Sequence, residues 1–218
     1  MYHFVAAKEV SSVLTIGAMV QTFAFALLGM QMACARHARG ISARALGLDA
    51  LALVLRLSST VWLDGYLPAD ASGDWMYQAV DICSLALVLW LISQVVVVHK
   101  HTYQEAEDNF PAFHVALGAV VLAFIFHPDM DDLPLFDSLW MAGLNISAIA
   151  VLPQLWLTAR AGGRMEALTT HYVAAMAMSQ FLNAVFMWLA RSADWPLKAN
   201  RAKCDFCQLV PCKYSPKQ

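Results

Sequence analysis

The chain has 218 residues, of which 60% are apolar or aromatic and only 14% are charged. Soluble domains average about 45–50% apolar and about 25% charged residues, so this chain lacks the polar surface that a water-exposed fold needs. Fourteen Lys+Arg against 16 Asp+Glu give a formal charge of −2, which argues against the basic face that nucleic acid requires. The composition points instead to the lipid bilayer.

A spanning helix needs about 20 mostly apolar residues. Six runs approach this length, at 11–34, 45–63, 79–98, 112–126, 139–159 and 171–190, the fourth being short. The sequence therefore predicts an all-α, polytopic membrane bundle over residues 1–191, followed by a tail over 192–218 that contains no run able to cross. The N-terminus lacks a basic leader, and the first apolar run is too long for a signal peptide, so none is expected.

The loops alternate in charge. Arg36, Arg39 and Arg44 follow the first run with no acid, and Asp64, Asp70 and Asp74 follow the second with no base. The third loop is mixed, with Lys100 against Glu105, Glu107 and Asp108, the fourth is acidic, and the fifth carries Arg160 and Arg164. Basic loops mark the cytoplasmic side, so odd-numbered loops are expected there and the N-terminus in the lumen. The tail departs from this rule: it should also be lumenal, yet it holds Lys198, Arg201, Lys203, Lys213 and Lys217. A seventh span lost through truncation or altered splicing would account for that.

Ionisable side chains inside a span are costly and point to function or to buried pairing. Arg56 sits in the middle of the second run, where its guanidinium could take a carboxylate through two parallel hydrogen bonds or pair with Asp49 or Asp81. Asp81 could equally cap the third helix. Gln21, Asn145, Gln180 and Asn183 are neutral polar groups of the kind that tie membrane helices together. Pro153 and Gln154 interrupt the fifth run; proline removes a helical hydrogen bond, and a kink beside an amide suits a hinge.

Cys34 and Cys83 lie in or beside apolar runs and read as small hydrophobes. Cys204 and Cys207 form one Cys-x-x-Cys pair, with Cys212 beyond and no histidine nearby. That is a weak zinc signal, and no metal or other cofactor is expected. Paired intramembrane Asp, a Ser-His pair and His-Glu-x-x-His are all missing from the sequence, so an enzyme is not expected.

The stretch from Leu152-Pro153-Gln154-Leu155 through a short basic loop to Glu166, Thr169, Thr170, His171 and Tyr172 carries a resemblance. Together with Gly40-Ile41-Ser42, the spacing from that turn to Arg56, and Asp137 three residues before Trp140, it resembles the ER-lumen protein-retaining receptors, the KDEL receptors. The likeness covers roughly residues 10–190. It implies seven spans arranged as two three-helix bundles around a linking span, related to the Pro-Gln-loop and sugar-transporter group. It implies a receptor in the ER and Golgi membranes that binds C-terminal Lys/His-Asp-Glu-Leu signals and returns escaped lumenal proteins with the COPI coat. By position, Arg56 would hold the ligand's terminal carboxylate, Asp137 would face its basic or His residue, and Trp140 would line that pocket.

Other positions depart from the family. Leu14 and Gln21 stand where it has a first-span arginine and a pH-sensing histidine, Ser59 and Ser147 where it has acids. Ser179, Gln180, Asn183, Phe186, Met187 and Ala190 replace its sixth-span Tyr, Arg, Tyr, Asn, Trp and Arg. Gln21, Ser59, Ser147, Gln180 and Asn183 are thus the candidate cavity polar groups. One cation is left for a peptide with several negative charges, which marks a divergent receptor. A small-solute transporter of the Pro-Gln-loop kind, for a sugar or an amino acid, is the alternative.

Overall fold

A computed structural model describes the backbone of residues 2–60, 74–126, 134–160 and 167–209, and the side chains of 12–60, 75–126, 135–160 and 167–189. All regular structure among them is helical: α1 (Tyr2–Ala35), α2 (Ala43–Thr60), α3 (Asp74–Ser93), α4 (Ala112–Ile125), α5 (Pro134–Ile149), α6 (Leu152–Arg160) and α7 (Ala167–Leu209). A π-turn over Gln94–Val98 and a 3-10 turn over Lys100–Thr102 extend α3. The fold is the expected polytopic helical bundle. Residues 61–73 of the second loop, 127–133 of the fourth, and Arg164 and Glu166 of the fifth lie outside the described residues, as do the side chains of Cys204, Cys207 and Cys212.

Among the described residues, four stretches are long and apolar enough to cross a membrane: Ser12–Ala35, Trp75–Val98, Leu135–Arg160 and Ala167–Leu189. The other two expected spans are shorter or more polar. α2 carries Arg44, Asp49 and Arg56 within 18 residues. α4 has 14 residues, about 21 Å at 1.5 Å per residue, against a hydrocarbon core of about 30 Å. Helix α7 runs through position 191 to Leu209 without a break.

α3 lies between α1 and α2; α7 packs on the other side of α1, and α5 on α2, with α4 outside α5. Between membrane helices apolar contact adds no hydrophobic drive, so close packing and polar bonds must hold the bundle. Small residues permit the approach: Ala116, Ala119 and Ala123 are the buried face of α4, and two of them pack with Ala52, Ile146 and Ala150. Gly17 lets α1 meet α7, where the Ser179 hydroxyl donates to the Gly17 carbonyl at 2.8 Å. Large apolar side chains such as Phe113, Leu117, Val121 and Trp90 face outward, as lipid contact allows.

The fifth span is two helices. The ladder ends at Ile149, Ala150–Val151 form a turn, and Pro153 enters the first turn of α6, where its missing N–H leaves no partner unsatisfied. The predicted kink is thus a full break just before the proline.

Candidate functional site

Five side chains from four helices converge within the bundle, each at most 1% exposed: Gln21 from α1, Arg56 from α2, Tyr77 and Asp81 from α3, and Trp140 from α5. Arg56 Nη2 donates to Asp81 Oδ1 at 2.6 Å and reaches Gln21 Oε1 at 3.3 Å. The guanidinium carbon lies 5.8 Å from the centre of the Tyr77 ring. Trp140 packs edge-on against Phe186 with ring centres 6.3 Å apart, in a cluster that includes Leu14 and Tyr77.

The approach of α5 to this point depends on Gly143. A Cβ there would sit 2.7 Å from Arg56 Cγ and 2.9 Å from the Ala52 carbonyl oxygen. The absence of that carbon brings Trp140, one turn earlier on α5, to the level of the guanidinium.

The cluster is rich in unused donors. Among the described residues, Gln21 Nε2, Arg56 Nε, Tyr77 OH and Trp140 Nε1 are buried without a hydrogen-bond partner, and Asp81 Oδ2 is an unused acceptor beside them. Each such atom costs about 1–3 kcal/mol, and native proteins tolerate few of them. The guanidinium's own Nε and three further orphan donors from Gln21, Tyr77 and Trp140 are chemically suited to an anionic oxygen group.

Of the two acids offered as partners for Arg56, Asp81 is the one that pairs with it, while Asp49, Asp108 and Asp137 are buried too. One expectation is corrected. Asp81 is no helix cap: α3 begins at Asp74, so Asp81 lies two turns inside it. Asp49 instead takes a long bond from the Tyr172 hydroxyl at 3.5 Å.

The remaining candidates fall into separate groups. Asp137, in the first turn of α5, is buried. Ser59 bonds back to the Leu55 carbonyl and across to that of Phe136, each at 3.2 Å. Ser147, Gln180 and Asn183 form a chain joining α5 to α7: Gln180 Nε2 donates to Ser147 Oγ at 2.8 Å, and Asn183 Nδ2 to Gln180 Oε1 at 3.3 Å. Asn145 reaches only the Ala119 carbonyl, at 3.5 Å.

Gln154 is a clamp at one end of the bundle. Its Oε1 accepts from Ser42 N at 2.9 Å and its Nε2 donates to Gly40 O at 2.7 Å, which fastens α6 to the α1–α2 turn. That turn is held from its other side by the segment after α3. Thr102 Oγ1 accepts from Ala38 N, and Gln104 Oε1 from Gly40 N. Ser42 caps α2 through Ala45 N at 3.1 Å, while buried Asp108 accepts from Ser42 Oγ at 2.8 Å and from Arg44 N at 3.3 Å. Two of the orphan N–H groups of α2 are thereby satisfied, one by its own cap and one from another loop. Tyr103 OH donates to the same carboxylate at 2.6 Å, and burial together with Asp108 pushes its phenol up from the usual range. Within the Thr-Thr-His-Tyr run, Thr169 bonds to Gln31 at 2.6 Å and Tyr172 faces Asp49, while His171 is exposed.

Sequence reasoning missed Tyr77, Gly143 and the Asp108–Tyr103–Gln104 group. Tyr77 precedes Asp81 by one helical turn, so starting the third helix at the Gly-Asp turn signal of residues 73–74 would have exposed the pair. Gly143 offered no sequence signal beyond its identity.

A family model described as ER lumen protein retaining receptor matches residues 37–191. The chain is 26% identical over 169 residues to an ER lumen protein-retaining receptor of Caenorhabditis briggsae, covering 77% of this chain and 73% of that one. It is also 26% identical to the receptor of Saccharomyces cerevisiae, over 67% of this chain and 64% of that one. To the receptor of Drosophila melanogaster it is 24% identical, over 81% and 79%. Since the matched segment spans most of the chain and includes Arg56, Trp140, Gln154 and Tyr172, the chain belongs to the ER lumen protein retaining receptor family.

Proposed function

We infer that this chain is a receptor that retains lumenal proteins of the ER by binding their C-terminal retrieval signal. The observation that carries the reading is the buried Arg56 guanidinium ringed by orphan donors from Gln21, Tyr77 and Trp140. A peptide's terminal carboxylate has the charge and the acceptor capacity to use them, since a charge-assisted bond is roughly twice as strong as a neutral one. The transporter alternative is not favoured, because the relatives carry receptor names.

In this reading Arg56 binds the terminal carboxylate, Asp137 meets a basic side chain of the signal, and Trp140 lines the pocket. Gln21 and Ser59 border it, and Ser147, Gln180 and Asn183 line the α5–α7 side. The break before Pro153 is the hinge, with Gln154 fixing the far half of the span to the α1–α2 turn. Residues 1–191 hold the binding bundle, and α7 carries on past it into the tail of residues 192–218. The basic odd-numbered turns face the cytosol, where a COPI coat would collect the receptor, and the N-terminus is lumenal. The contact of residues 38–44 with 102–110 supports a common side for the first and third turns.

The test is a retention assay in cells depleted of their own receptors. A lumenal reporter ending in Lys-Asp-Glu-Leu should be held back when this chain is expressed, and Arg56→Ala should release it. Unchanged secretion, with the chain present in ER and Golgi membranes, would overturn the reading.

A further inference from the structure

We propose that Asp81 is an internal competitor for the ligand carboxylate: it holds the Arg56 guanidinium where a peptide terminus would bind and must give way to it. The proposal rests on the retrieval-signal reading of Arg56 and adds the residue that sets the site's affinity.

The ion pair is only half closed. Guanidinium and carboxylate match best through two parallel hydrogen bonds. Here only Nη2 and Oδ1 meet, at 2.6 Å, while Arg56 Nε and Asp81 Oδ2 are left buried without hydrogen-bond partners. A pair serving only the fold would gain by closing the second bond, because half-satisfied ions away from water are expensive. The guanidinium edge at Nε thus stays open to a second carboxylate.

Donors also outnumber acceptors. Within the pair one donor and one acceptor stand unused, and among the described residues Gln21 Nε2, Tyr77 OH and Trp140 Nε1 add three more unused donors. Asp81 therefore does not saturate its surroundings, and Gln21, Tyr77 and Trp140 could serve one more anionic group.

Charge balance leaves room for one carboxylate. Arg56 and Asp81 cancel, and the other groups in the cluster are neutral. Asp49, two turns earlier on α2, supplies no second cation. A ligand carboxylate joining the intact pair would leave a net negative charge in a desolvated place, which is strongly disfavoured. The two carboxylates must therefore compete for one guanidinium. Tyr77 gives the loser a partner: it lies one turn before Asp81 on α3, already beside that carboxylate, and its hydroxyl makes no full hydrogen bond among the described residues. Asp81 can turn toward that phenol without leaving its helix.

The experiment uses the full chain, purified in detergent, as wild type and as Asp81→Asn. Binding is measured with a labelled peptide ending in Lys-Asp-Glu-Leu and with the same peptide carrying a C-terminal amide. Asp81→Asn should bind the acid at least about ten-fold more tightly, the equivalent of about 1.4 kcal/mol of removed competition, and leave the amide unchanged. Equal or weaker binding of the acid by folded Asp81→Asn overturns the proposal. Thermal unfolding with and without acetate supplies a readout that needs no retrieval peptide. Acetate should raise the midpoint of Asp81→Asn and not that of wild type; no rise in the variant overturns the proposal. If wild type binds no peptide at all, the retrieval reading falls and the acetate shift alone decides the role of Asp81. Should Asp81→Asn unfold on purification, acetate throughout should rescue it, and Asp81→Ser likewise; failure of both in acetate overturns the proposal.

Discussion

Replacing Gly143 with alanine probes the contact on which the Arg56 cluster is built. The added Cβ would lie 2.7 Å from Arg56 Cγ, 2.9 Å from the Ala52 carbonyl oxygen and 3.2 Å from the Arg56 amide nitrogen. Two of those three atoms belong to the backbone of α2, so no rotamer change relieves them. The side-chain atom is no freer, because the guanidinium is tied to Asp81 and Gln21. Helix α5 must therefore back away from α2 by several tenths of an ångström, carrying Trp140 with it. Overpacking of this kind costs about 1–3 kcal/mol, which should lower the thermal midpoint of the detergent-solubilised protein by several degrees and weaken peptide binding as well. Gly47→Ala is the matched control: it lies in α2, a Cβ there meets nothing within 4 Å, and helix propensity predicts a gain of about 0.5–1 kcal/mol. Gly143→Ala with wild-type stability and wild-type binding would refute the packing argument, and a destabilised Gly47→Ala would refute the contrast.

Two further substitutions test the clamped end of the bundle. Gln154→Ala removes both bonds to the α1–α2 turn and leaves Ser42 N and Gly40 O unpartnered; a loss of about 2–4 kcal/mol is expected from two orphaned groups, read by thermal unfolding, with faster amide exchange at residues 38–42 as the local signature. Arg36→Gly should act in the opposite direction, because Arg36 ends α1 at φ 53, a left-handed conformation that costs a side-chain-bearing residue about 1–2 kcal/mol. A rise in unfolding midpoint checks it, and a fall would show that the Arg36 side chain matters more than its backbone.

Much of the helical layout was legible in the sequence because apolar runs report directly which segments avoid water. The interruption at Pro153 and the depth of Arg56 came from the same signal. Partner choice did not. Gln154 and Gly40 are 114 positions apart, and Arg56 and Asp81 are 25 apart; hydropathy records burial and is silent on which buried group meets which. Placing the third helix at residue 79 hid Asp81 behind a capping role, whereas its start at Asp74 turns the same side chain into the counter-ion of Arg56. The Pro-Gln pair suggested a hinge with a free amide, yet the amide is bonded at both ends because the Gly40–Ser42 turn exposes one acceptor and one donor to it. Asp108 looked like one acid of a mixed loop; it is buried because the first turn of α2 needs an acceptor that its own cap leaves unprovided.

The claim at the centre of this account is that Arg56 takes a peptide's terminal carboxylate. Binding of a Lys-Asp-Glu-Leu peptide as free acid and as C-terminal amide to the wild-type chain at mildly acidic pH tests it most directly. The account predicts that the acid binds and that the amide binds at least about ten-fold more weakly, with Arg56→Gln erasing the difference. Equal affinity for acid and amide, or a difference that survives Arg56→Gln, would contradict it.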